Sequence, residues 1–80
     1  MTTLQIKTDL KLKIKDKSAT ELVSIYENNK SRLKAGSDLE DGLIINDVCI
    51  EEMENRLTKI NFFVGGLIDN QIAYYFKTQL

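Results

Sequence analysis

Cys49 is the only cysteine in this chain, and the chain has no histidine. Those two facts settle most of the chemistry available to it. Without histidine, no side chain has an ordinary pKa suited to general-base work near neutrality. None of the serines stands beside a recognisable activating partner. Thiolate is the reactive form of cysteine, and Cys49 sits between Asp47 and Glu51, where neighbouring carboxylates disfavour it. The residues therefore point to a buried structural cysteine and to a protein that is not an enzyme. One thiol among scattered carboxylates is a poor tetrahedral set for zinc. Gly65-Gly66 is too short for a phosphate loop, which needs a longer glycine pattern and a lysine. No cofactor is expected.

Charge is the next chemistry on offer. The net charge is −1, but residues 1–34 carry eight Lys/Arg against four Asp/Glu, and residues 35–80 carry three against eight. Asp38, Glu40, Asp41, Asp47, Glu51, Glu52 and Glu54 follow one another with no base between them. A calcium loop does not fit them, because Gly42 at the sixth loop position would put Ser37 and Leu39 at the first and third. A solvated acidic face is expected instead. Glu51, Glu52 and Glu54 are its candidates for meeting a basic surface, on a target protein or on the lysines of a neighbouring subunit.

The third feature is the stretch Phe62–Phe76, FFVGGLIDNQIAYYF, which holds five of the six aromatic residues and one charge, Asp69. Eighty residues make one small domain whose core is marginal without a staple. A single cysteine allows no internal disulfide, so burial against a partner is the leading substitute. Tyr74, Tyr75 and Phe76 span about 200° of a helix, more than one internal face can cover. Phe62, Phe63, Leu67, Ile72, Tyr74, Tyr75 and Phe76 are thus the expected contact between copies, each worth about 1.5–3 kcal/mol when fully buried.

These residues need elements to position them. Leu4, Ile6, Leu10, Leu12 and Ile14 occupy even positions among polar odd ones, and this period of two predicts a β-strand or arm over 1–16. Ser18 to Glu21 reads as a capping box opening a helix over 18–35, with Leu22, Ile25, Tyr26 and Leu33 at helical spacing and Asn29 a polar gap. Ser37 to Glu40 reads as a second box. It opens a helix over 38–64 with a seam of Leu39, Leu43, Ile50, Met53, Leu57, Ile60 and Val64, in which Asn46 fills the vacant place. A kink or restart at Gly65-Gly66 leads to a short helix or strand over 67–77. The alternative is a C-terminal hairpin over 60–79, turning at Asp69-Asn70. The expected fold is helix-dominated α+β in a single domain, 1–80, whose unpaired strand seeks a twofold partner.

A strand with outward lysines followed by two helices resembles, in pattern over residues 10–55, the ribbon-helix-helix repressors, in which paired strands enter the major groove. The resemblance implies Lys11, Lys13 and Lys15 as groove-facing residues and Gly36-Ser37 as the turn between helices. Asp38, Glu40 and Asp41 depart from it, because they crowd the helix start where a phosphate docks.

The lysine-broken N-terminus is not a secretory signal, and Ile60–Phe76 is too short and polar to span a membrane. Asn29-Lys30-Ser31 matches a glycosylation sequon only by accident on this reading. A cytoplasmic, non-catalytic homo-oligomer is expected, one that acts as a regulator, inhibitor or assembly factor by binding another macromolecule, with a protein as the expected partner. DNA binding through the lysine strand is the alternative.

Overall fold

The computed structural model describes residues 2–36 and 39–80. They form four helices, α1 (Thr3–Lys15), α2 (Ala19–Lys34), α3 (Leu39–Lys59) and α4 (Asp69–Gln79), with no strand among the described residues. The α+β expectation is overturned: the described chain is all-helical. The capping box expected at Ser37–Glu40 lies outside the described residues.

The N-terminal strand fails for a simple reason. Its even-numbered apolar set contains Ile6, Leu10 and Ile14, spaced by four, which a helix gathers on one face. Ile14 is buried and Ile6 and Leu10 half-buried, whereas Leu4 and Leu12 fall on the opposite face and are exposed. Local signals agree. Thr2 Oγ1 accepts from Gln5 N–H at 3.2 Å, and Gln5 Oε1 accepts from Thr2 N–H at 2.9 Å, a closed capping box. Lys13 and Lys15 sit in the last turn, where the helix dipole favours cations. The twofold strand pairing inferred from an unpaired edge disappears with the strand.

At the start of α2, Ser18 Oγ accepts from Glu21 N–H at 3.1 Å. The Glu21 carboxylate turns outward to Lys17, at 3.8 Å, instead of closing the box. Gly36, at φ +78°, follows the helix in the left-handed region that suits glycine.

The central element is α3, against which α1, α2 and α4 all pack. Ile44, Val48, Cys49, Ile50, Met53 and Leu57 are its buried apolar residues. Lys7 pairs with Asp47 at 3.6 Å and Lys11 with Glu51 at 3.0 Å, so α1 runs parallel to α3. On the other side, Asn29 Nδ2 donates to Gly42 O at 2.8 Å, close to the C-terminal end of α2, so α2 runs antiparallel. Gly42 permits that approach: a Cβ there would stand 2.5 Å from Leu33 Cδ2. Asn29, only 5% exposed, is the one buried polar residue among those described.

Helix α3 ends earlier than the expected residue 64. Asn61 adopts φ +62°, Asn61 N–H donates to Thr58 O, and Phe62 N–H donates to Leu57 O. This is a Schellman cap with asparagine in the left-handed position. The chain then runs as a non-helical link over 60–68, turning at Gly65-Gly66 where Leu67 N–H donates to Val64 O at 3.2 Å, with Phe62, Val64 and Leu67 half-buried and Phe63 and Ile68 exposed. It travels back along α3 as far as Asn46, whose Nδ2 donates to Asp69 Oδ2 at 2.8 Å. There Gln71 Oε1 accepts from Ile68 N–H at 3.1 Å and α4 begins, burying Ile72, Ala73 and Phe76. The C-terminal hairpin is excluded, since 69–79 is helix and 60–68 pairs with no strand.

Candidate functional site

Of the seven residues expected at a contact between copies, the structure divides the set. Ile72 and Phe76 lie in the core of their own chain, and Phe76 is fully buried. Phe62, Leu67 and Tyr75 are half-buried. Phe63 and Tyr74 are free, 84% and 61% exposed. The three consecutive aromatics of α4 thus fan out: Phe76 faces inward, Tyr75 flanks the link at Phe62, and Tyr74 faces solvent.

Three of these side chains form a continuous row of rings. The Phe62 and Tyr75 rings lie 5.1 Å apart and tilted, and the Tyr75 and Tyr74 rings lie 5.3 Å apart, edge to face. Phe63 adjoins Phe62 in the chain and folds its ring over Gly65, where a Cβ would stand 2.6 Å from Cζ. Exposed Ile60 and Ile68 bracket the link. Neither was singled out from sequence, because both fit an apolar seam. The signal that separates them is Asn61, which ends the helix, and the glycine pair, which turns the chain, with Phe62, Phe63 and Val64 alternating in and out between them. The seam is also uncovered at its start: Leu39 and Leu43 are exposed, since the returning chain reaches only to Asn46.

The acidic candidates are mostly occupied within the chain. Glu51 pairs with Lys11 of α1, and Glu52 accepts from Arg56 Nε at 2.9 Å. Glu54 is half-buried and makes no ion pair among the described residues. The basic N-terminal half and the acidic α3 therefore complement one another internally. Arg56 is central to this. Its Nη2 donates to Ile14 O at 3.3 Å, Lys15 O at 3.2 Å and Lys17 O at 2.7 Å, capping the C-terminus of α1.

Lys11, Lys13 and Lys15 stand on a helix, not a strand, so the ribbon that would carry them into a major groove does not exist here. Lys11 is committed to Glu51. A separate groove of about 360 Å³ between α2 and α4 holds Lys30, Lys34 and Lys77 beside Tyr26 and Tyr74. Two of those lysines are engaged, Lys30 with Asn70 Oδ1 and Lys77 with Glu27.

Burial pushes the Cys49 thiol up to about 11, which makes it an inert core group. The Tyr26 phenol is also raised, first by burial and then by the Asp69 carboxylate. No three His, Cys, Asp or Glu side chains gather to hold a metal among the described residues. No described helix is long and apolar enough to cross a membrane. Compared with protein-family models, curated proteins and solved structures, the chain matches none.

Proposed function

We propose that this is a non-catalytic interaction protein that self-associates through the surface running from Phe63 across Phe62 and Tyr75 to Tyr74, and acts by binding another macromolecule. The observation that carries the proposal is Phe63, 84% exposed and next in the chain to Phe62, whose ring begins the row with Tyr75 and Tyr74. An apolar surface of this kind is costly in water and marks an interface. Rigid aromatic side chains also supply large contact area at low entropic cost. The parts of α4 that face inward keep the surface in place: Ile72 and Phe76 anchor the helix while Tyr74 and Tyr75 are displayed.

The test is the double substitution Phe63→Ser and Tyr74→Ser, both outside the core. In a twofold contact each change counts twice, so the loss is roughly 3–6 kcal/mol per residue pair at full burial. That weakens self-association at least about 100-fold. Light scattering behind size exclusion should then show the wild type as an oligomer and the variant as a monomer with an unchanged helical spectrum. An assembly that survives both changes would defeat the proposal.

A further inference from the structure

Helices α1 and α2 both pack on α3 but hardly on each other. One sits over the Asp47 and Glu51 side of α3, the other over Gly42. At about 100° per residue, Ile45 and Cys49 of α3 point between them. The result is a groove whose apolar part, about 230 Å³, is walled by Leu10 and Ile14 of α1, Ile25 of α2, and Ile45, Val48 and Cys49 of α3. No polar surface enters that wall; the aliphatic stems of Lys13 and Lys17 complete it. The groove continues past Leu10, Lys13 and Ile45 to Ile6, where Asp9 and Asp41 flank it.

We propose that this groove binds a single aliphatic chain carrying a carboxylate head. The wall offers no hydrogen bond to an occupant, so the part inside must be hydrocarbon. A closed cavity of about 150 Å³ with such a lining already holds benzene, and this groove, open on one side, offers about 230 Å³. Lysines whose stems lie along an apolar wall hold their ammonium groups at its mouth. Lys13 makes no ion pair among the described residues, and Lys17 has only a loose, half-exposed contact with Glu21 at 3.8 Å. Lys13 lines both parts of the groove and Lys17 only the part away from Asp9 and Asp41, so an anionic head is favoured toward Lys17. Asp9 and Asp41 repel it from the other end, so the occupant has one orientation: head toward Lys17, tail toward Ile6.

Calorimetric titration of the full chain with hexanoate, octanoate, decanoate and dodecanoate, below their micelle concentrations, tests this. Each added methylene should tighten binding about fourfold until the tail passes Ile6, and then affinity should level off. Decanol should bind about fivefold more weakly than decanoate at low salt, and Lys13→Glu should erase that difference. Ile25→Glu, at a half-buried position of the wall, should abolish binding. Should that variant not fold, methyl NMR of the wild type decides: shifts must centre on Ile14, Ile25, Ile45 and Val48. No saturable binding of any chain length, affinity that rises without levelling, or shifts centred on Val64 and Leu67 would each overturn the proposal. Phe63→Ser, remote from the groove, should leave decanoate affinity unchanged, which separates this inference from the self-association proposal.

Discussion

Replacing Arg56 by methionine keeps the length of the side chain and removes the guanidinium. That group joins three elements, holding the carbonyls of Ile14, Lys15 and Lys17 with one nitrogen and Glu52 with another. The last turn of a helix leaves four carbonyls without intrahelical partners, and for α1 this side chain fills part of that need. Hydrogen bonds to charged groups are worth about 1.5–3 kcal/mol each. One nitrogen cannot serve three carbonyls at full strength, so only the 2.7 Å bond to Lys17 O is counted whole. The Glu52 pair, each side chain 18% exposed, adds a fraction more. The expected loss is about 2–3 kcal/mol. A chain of this size has about 4–12 kcal/mol in all, and its midpoint moves about 4–8 °C per kcal/mol, so Tm should fall by roughly 10–20 °C. Arg56→Lys should recover less than half, because an ammonium keeps the charge and loses the planar fork. Calorimetry gives the size of the effect and native-state hydrogen exchange its location. Since α1 rests mainly on α3, its amides should lose protection before those of α2, α3 and α4. A Tm drop under about 3 °C, or a loss spread evenly over all four helices, would refute the reasoning.

Gly42→Ala gains about 1 kcal/mol of helix propensity but forces Leu33 aside, and overpacking of this kind costs about 1–3 kcal/mol. A net loss near 1 kcal/mol by urea titration is expected, and increased stability would contradict the close contact. Asn61→Ala should cost about 1–2 kcal/mol, because the left-handed position penalises a Cβ that has no local hydrogen-bonding group, whereas Asn61→Gly should be neutral or better. Cys49 has its pKa raised from 9.0 to about 11 in the fold. Above pH 9 the unfolded chain therefore releases its proton first, and stability falls as pH rises from 9 to 11, by up to about 1.4 kcal/mol per unit. Cys49→Ala should make that alkaline decline shallower, and urea midpoints at about pH 8 and about pH 10 check it.

Some of this architecture is legible in the sequence and some is not. The serine cap of α2 is written locally, in Ser18 and Glu21. The two polar flaws noted in otherwise apolar stripes, Asn29 and Asn46, have partners that no local pattern reveals. Asn29 meets the carbonyl of Gly42, itself a flaw in α3, and Asn46 meets Asp69 across 23 residues of chain. The N-terminal segment misleads because Leu4 and Leu12 extend a true spacing of four into an apparent spacing of two. Only packing shows that these two leucines are left outside. Asn61 ends α3 through its backbone conformation, which competes with an apolar seam that continues to Val64. In the aromatic stretch, sequence marks a concentration of apolar surface but cannot assign sides. Once 60–68 is a non-helical link and 69–79 is helical, Phe63 and Tyr74 turn out while Ile72 and Phe76 turn in. Deleting residues 72–80 would therefore destroy the core as well as the surface, so surface substitutions are the cleaner probe.

Self-association is the central claim, and sedimentation velocity of the wild-type chain tests it most directly. Across a concentration series spanning the micromolar range, the weight-average sedimentation coefficient should rise above that of a compact 9.2 kDa monomer and reach a plateau at a defined oligomer. A folded chain that sediments as a monomer throughout, with Phe63 and Tyr74 still in water, would contradict the account.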